Sequence, residues 1–309
     1  MSLYKYTSIQ TAEIVIKNQS LRWSSPLIFN DLEECQFTPF TKEKYFDAIS
    51  KYKDILINCA NGQLVYDVNR YSDVTNTLIE VIKMALKDGK FSPEHLLDMT
   101  SNLFGDPESD YRNYINEALV RCFRVLCVTE DCDNKLMWGY YADQNYGCAI
   151  EFEHLYSERP RFLREGYVRY HDNLNPRSNP LDILLYGETE EVRNLMIQDV
   201  IFSKRKLWSH ENEYRLMFSE NFGVITTEIN MQTKQKSISV ECQPESLFTD
   251  VKFPKEAIKS IIFGARTTKD CIDRVLGLAS DYGYKCDFYK MEMENGTLIK
   301  RDLLDLSTN

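Results

Sequence analysis

The segment Ser203–Phe218, SKRKLWSHENEYRLMF, holds the residue types and spacing best suited to chemistry. Read as a strand from Glu211 onward, alternation places Glu211, Glu213, Arg215 and Met217 on one face. Asn212, Tyr214, Leu216 and Phe218 fall on the other face, which is largely apolar and should pack on the core. The first face then carries two carboxylates and a guanidinium within about 14 Å, at ~3.4 Å per residue. Close carboxylates raise each other's pKa and a neighbouring arginine lowers it. One glutamate can therefore orient a hydroxyl or nucleophile while the other stabilises developing positive charge. The plainer reading is a solvated face on which Arg215 balances Glu213 across a sheet. On the motif alone that reading carries more weight, because structural ion pairs outnumber catalytic ones.

Other residues invite the same weighing. Trp138, Tyr140 and Tyr141 offer an aromatic slot for a flat ligand, against the commoner role of such clusters as core. Trp208 stands in the same position. Arg22, beside Ser24 and Ser25 at the end of a predicted strand, has the geometry to grip a phosphate bidentately, and the alternative is a surface arginine. Asn30-Asp31 reads as a turn, with a smaller case for facing a cleft. Lys5 and Tyr6 lie on the first predicted strand.

Several chemistries are unsupported. There is no G-x-x-x-x-G-K-[ST] loop, no G-x-G-x-x-G and no G-x-S-x-G elbow. The four histidines, at 95, 154, 171 and 210, lack metal-ligand spacing, so no metal is expected. Nine cysteines without a CxxC pair, several inside apolar runs, read as reduced and buried thiols of a cytoplasmic protein. A net charge of −10 gives no global attraction to nucleic acid or to anionic membranes, although a local basic groove remains open. No window approaches the ~20 apolar residues of a membrane helix.

These residues need a scaffold. Leu3–Thr7 and Leu21–Ser24 read as strands around a helical stretch at Thr11–Lys17. From about 41 to 122 helical spacing dominates, and Ser72–Lys87 places Val74, Leu78, Val81, Ile82 and Ala85 on one face. Ser92-Pro93-Glu94 is a helix start, and Asp106-Pro107 begins another helix running through Leu119. Strands return at Phe123–Thr129, Gly147–Phe152 and Gly166–Tyr170, with a short helix at Lys135–Gln144. Pro180–Phe202 reads as helical, and Glu213–Ser219, Val224–Ile229 and Ser237–Glu241 as strands, the last two as a hairpin. Strand Ile258–Gly264, helix Thr268–Tyr282 and strand Tyr284–Met291 follow, and the turn Glu294-Asn295-Gly296 leads to a last strand at Thr297–Arg301. With no repeat and no linker visible, residues 1–309 are expected to form a single α+β domain. Its core sheet should be mixed and mostly antiparallel, with a helical insertion at about 41–122.

In order along the chain stand Leu3-Tyr4-Lys5-Tyr6, Leu21-Arg22-Trp23-Ser24-Ser25-Pro26, Phe29-Asn30-Asp31, Met137-Trp138-Gly139-Tyr140-Tyr141-Ala142, Gly147 and Trp208-x-x-Glu211-x-Glu213-Tyr214-Arg215. The set resembles the bacterial family known as domain of unknown function 2971, which carries no established activity. A remoter resemblance is to ADP-ribosyltransferases, through the first strand Tyr4–Thr7, the strand Leu21–Ser25 and the E-x-E at Glu211 and Glu213. That resemblance implies an ADP-ribosyltransferase-like core sheet and NAD as substrate, with a protein or nucleic-acid acceptor. Glu213 would stabilise the oxocarbenium-like charge and Glu211 would orient the acceptor. Lys5 or Arg22 would hold phosphate, and Trp138, Tyr141 or Trp208 would stack. A toxin or phage-defence effector is the corresponding biological expectation. The alternative is a non-enzymatic module of a bacterial defence system that senses a nucleotide or peptide in the same cleft.

Overall fold

A computed structural model describes residues 1–31, 33–35, 40–89, 92, 95, 120–156, 163–173, 177–220, 225–229, 236–240 and 246–303. Strand β1 (Leu3–Thr7) leads into helix α1 (Ile9–Asn18), which is fixed by its own sequence. Ser8 caps it by accepting the Thr11 amide, and Gln19 ends it in the left-handed region. Ile9, Ala12, Val15 and Ile16 face inward between these ends.

β2 (Ser20–Ser24), β3 (Phe123–Thr129), β4 (Cys148–Phe152), β5 (Arg164–Tyr167), β8 (Glu213–Ser219), β11 (Phe248–Lys252), β12 (Ile258–Phe263), β13 (Asp287–Glu294) and β14 (Thr297–Asp302) join β1 in a ten-stranded sheet. The order is β11-β2-β3-β1-β4-β12-β13-β14, with β8 paired to β3 and β5 paired to β8. Pairing is antiparallel except between β12 and β13. That parallel step requires a crossover, which the helix Lys269–Asp281 supplies. Two small ribbons flank the sheet: β6 (Arg169–His171) runs parallel to β7 (Ser203–Arg205), and β9 (Ile225–Ile229) pairs with β10 (Lys236–Val240) as a hairpin. The molecule is therefore mixed α/β with a mostly antiparallel sheet.

The sheet is covered on both faces. α1 and the crossover helix lay Ile16, Ile272 and Val275 on Trp23, Leu126, Ile150 and Phe263. On the opposite face Trp138 packs with Tyr6, Ala149, Ile262 and Met291, while Met196, Ile197 and Val200 meet Phe123, Val125 and Met217.

Three expectations need correction. α2 (Lys42–Ala60) and α3 (Asp73–Asp88) form, but α3 buries Thr75, Ile79 and Ile82, leaving Val74 and Val81 exposed. A polar residue turned the face: Thr75 Oγ1 donates to the Leu184 carbonyl at 2.9 Å, so its hydroxyl is satisfied inside the interface. Pro180–Phe202 is not one helix. α4 (Lys135–Tyr140) precedes a pair, α5 (Pro180–Tyr186) and α6 (Glu190–Val200), broken at Gly187 with φ 75° and restarted by the Thr189 cap. β11 was not expected, because Phe248–Lys252 has no apolar alternation and rests on β2 as an exposed edge. Ser92 Oγ accepts the His95 amide as a helix cap does, whereas the expected helix from Asp106 to Leu119 lies outside the described residues.

Candidate functional site

The sheet divides at β3. Val125 pairs with Ser24 of β2, and Thr129 pairs with Tyr4 of β1, so the two strands part along the same edge. A cavity of about 250 Å³ opens at this fork. Lys5, Tyr6, Arg22, Ser24, Asn30, Tyr141, Glu211 and Glu213 all contribute to its wall, although they come from β1, β2, the loop after it, α4 and the β8 region. Residues not weighed as site candidates from the sequence join them, among them Glu34, Cys127 and Lys204.

Glu211 and Glu213 reach the cavity by a different route from simple strand alternation. Glu211 ends a 3₁₀ turn, Lys206–Glu211, and Asn212 follows in the left-handed region at φ 43°. Asn212 is held there by Thr129 Oγ1, which donates to its carbonyl, and by its own side-chain amide, which donates to Asp131. β8 begins only at Glu213, whose amide donates to the Tyr170 hydroxyl at 2.9 Å.

The face carrying the ions is buried, not solvated. Glu211, Glu213 and Arg215 are 2%, 5% and 0% exposed. Arg215 does not balance Glu213 across the sheet. It grips it from two residues along the same strand, with Nε and Nη2 donating at 2.8 and 3.0 Å. Its remaining donors reach the Ile201 carbonyl and Glu34. Glu211 accepts from the Tyr141 hydroxyl at 2.6 Å and from Lys204 Nζ at 2.7 Å. Lys204 also lies 3.4 Å from Glu34 and 3.5 Å from Glu213.

Burial sets the electrostatics. It pushes the Glu213 carboxyl above its ordinary value, with Lys204 pulling back. It lowers the Arg215 guanidinium to about 9, still charged at neutral pH. For Lys204 burial works against the charge, but Glu213 and Glu211 outweigh it and hold the ammonium above the usual lysine value. The Cys127 thiol, hydrogen-bonded to Glu213, is raised first by burial and then by that carboxylate. Tyr141 is raised by burial and by Glu211. With its carboxyls ionised, the floor sets Glu34, Glu211 and Glu213 against Lys204 and Arg215, and Lys5 on the wall, which also acts on Glu213, brings the charges to balance.

The other expected residues separate. Lys5 Nζ donates to the Cys127 carbonyl at 2.8 Å at the fork, and among the described residues no carboxylate pairs with it. Arg22 stands at the wall already held bidentately by Asp250, at 3.1 and 3.3 Å, with its guanidinium 3.8 Å over Phe248. Ser25 is buried in the framework, donating to the Val120 carbonyl and capping Leu27. Trp138 is fully buried behind Tyr6, donating to the Cys132 carbonyl, and Tyr140 points outward. The aromatic slot weighed against a core role does not form, because the three rings point in different directions: Trp138 joins the core, and of the three only Tyr141 reaches the cavity. Trp208 backs Lys204, its ring centroid 4.9 Å from the ammonium.

Lys204 and Glu34 carry no local signal. Lys204 sits in a Lys-Arg-Lys run that resembles a solvated face, and Glu34 in an acidic turn. Among the described residues no group of three or more His, Cys, Asp and Glu side chains is arranged to hold a metal ion. Among the described residues no helix is long and apolar enough to cross a membrane.

Residues 137–216 match the family model described as protein of unknown function (DUF2971). That stretch includes Tyr141, Lys204, Glu211 and Glu213 of the cavity lining and Arg215 behind them, while Lys5, Arg22 and Glu34 lie outside it. No curated protein matches the chain, and no solved structure does.

Proposed function

We propose that the fork cavity is the substrate site of an ADP-ribosyltransferase-like enzyme that takes NAD and transfers ADP-ribose to a protein or nucleic-acid acceptor. The observation that carries this reading is that Glu211 and Glu213, both buried, line the same cavity. A carboxylate pair at the wall of a buried hollow favours a cationic nicotinamide ring. It favours still more the ribosyl cation that forms as the ring leaves. The C–N glycosidic bond breaks, and nicotinamide departs neutral with the bonding pair. The positive charge at the sugar faces Glu213, the acceptor adds there, and its proton passes through Glu211 to solvent.

The cavity's size and charge orient the ligand. Its volume, about 250 Å³, is below the roughly 300–1,000 Å³ of drug-sized sites, so it takes the nicotinamide riboside end. The adenylate then lies along the open wall. Lys5, without a carboxylate partner among the described residues, is the residue for a phosphate oxygen. Arg22 is less suited, since a phosphate there must compete with Asp250.

NAD labelled in both the nicotinamide and the adenylate tests the reading. The wild type should release nicotinamide and transfer or hydrolyse the remainder, and Glu213→Gln should slow release on the order of a hundredfold or more. Absence of nicotinamide release and of label on protein, DNA or RNA refutes it.

One observation favours a second reading, a sensor that binds without turnover: each floor carboxylate already has a cation. A paired network of this kind makes a rigid recognition surface. Thermal stabilisation by NAD, ADP-ribose or another nucleotide, with no product formed, would select it.

A further inference from the structure

We infer that Lys204 is the positioning residue of this site, the side chain that joins the loop carboxylate of Glu34 to both members of the Glu211–Glu213 pair and keeps them turned to the cavity. Glu34 comes from the loop after β2, Glu211 from the 3₁₀ turn and Glu213 from the first position of β8. Among the described residues no backbone hydrogen bond ties Glu34 to either of the others. The ammonium does, at 3.4 Å to Glu34, 2.7 Å to Glu211 and 3.5 Å to Glu213.

Its placement is built rather than incidental. β7 pairs with β6 through Tyr170–Lys204, which fixes the Lys204 backbone beside the residue whose hydroxyl accepts the Glu213 amide. The side chain is 6% exposed, and the Trp208 ring lies 4.9 Å from its ammonium. The compact ammonium donates to Glu211 and stands within ion-pair distance of Glu34 and Glu213. A guanidinium in its place would present its donors in a fixed plane and change that arrangement. Arg215 contributes differently, because its fork is taken up by Glu213, Glu34 and the Ile201 carbonyl and leaves Glu211 untouched.

This inference rests on the cavity being a ligand site, but not on the ligand being NAD, and its test needs no turnover. Carbon-13 labelling of the glutamate carboxyls allows Glu213 to be titrated by NMR in wild type, Lys204→Met and Lys204→Arg. In Lys204→Met the Glu213 signal should titrate about 1–3 pH units higher, as expected when an opposite charge is removed from beside it. Tyr141 should also lose the signature of its hydrogen bond to Glu211. Lys204→Arg keeps the charge, so Glu213 should titrate close to wild type while the Tyr141 hydrogen bond to Glu211 is disturbed. If Lys204→Met does not fold, Lys204→Arg decides alone. A Glu213 titration and Tyr141 signals unchanged from wild type in the variants that fold overturn the proposal, whatever wild type does with NAD. A shifted Glu213 carboxyl in a protein that releases no nicotinamide upholds Lys204 and removes the transferase reading.

Discussion

Arg215 shows how sharply this protein separates buried from exposed charge. Its guanidinium is inaccessible to water and holds two acidic side chains, so Arg215→Met leaves Glu213 and Glu34 with weaker partners in the interior. The expected cost is about 3–5 kcal/mol by urea unfolding. Arg22→Ala removes a pair whose side chains are 56% and 43% exposed, and should cost no more than about 1 kcal/mol. Equal losses would show that the two pairs are not distinguished by burial. The raised Glu213 carboxyl adds a pH dependence. A carboxyl with a raised folded value contributes stability below its ordinary 4.5, and that contribution disappears as pH rises through the folded value. Glu213→Gln should therefore gain on wild type in unfolding free energy as pH rises from 4.5 toward neutrality, and a gap moving the other way contradicts the assignment. The E-x-E pair and its arginine were visible as a chemical possibility in the sequence. Their burial was not, because it depends on Lys204 and Glu34, which become neighbours only through folding.

At the scale of elements, two local devices hold the site in shape. Asn212 is the hinge between the 3₁₀ turn and β8, and its left-handed backbone turns both glutamates to one side. Asn212→Val should cost about 1–2 kcal/mol, the penalty of a Cβ-branched residue in that region, and should weaken ligand binding as Glu211 moves. Gly147 starts the approach to β4 with no room for a side chain. A Cβ there would stand 2.2 Å from the Thr7 carbonyl oxygen and 2.9 Å from the Ala142 carbonyl, all backbone. Gly147→Ala should therefore lower thermal stability by at least the ~1–3 kcal/mol of an overpacked core. β1 and β8 follow from their own residues, since alternating tyrosines and the E-Y-R-L-M-F run impose a two-residue period. The buried face of α3 and the break at Gly187 were decided by tertiary partners, Leu184 for one and the second capped helix for the other.

At the scale of the molecule, the sheet and the helical region have separate cores. Leu56, Cys59, Ile79 and Ile82 cluster between α2 and α3 without sharing members with the clusters on the sheet. Amides of α2 and α3 should exchange hydrogen through a lower-energy opening than those of β3, β4 and β12, and uniform protection would contradict that division. The mixed, mostly antiparallel architecture was legible from the order of periodic segments, but the fork that creates the cavity was not. It arises because β3 pairs with two strands at opposite ends of one edge, a register no local pattern encodes. The central claim is that this fork receives a ligand with a cationic ring over the carboxylate floor and an anionic group at Lys5. Calorimetric titration of NAD at pH 7 into wild type, Lys5→Ala and Glu213→Gln tests it most directly. The account predicts a single site in wild type and at least tenfold weaker binding in each variant, which corresponds to about 1.4 kcal/mol. No binding by wild type, or equal binding by all three proteins, would contradict it.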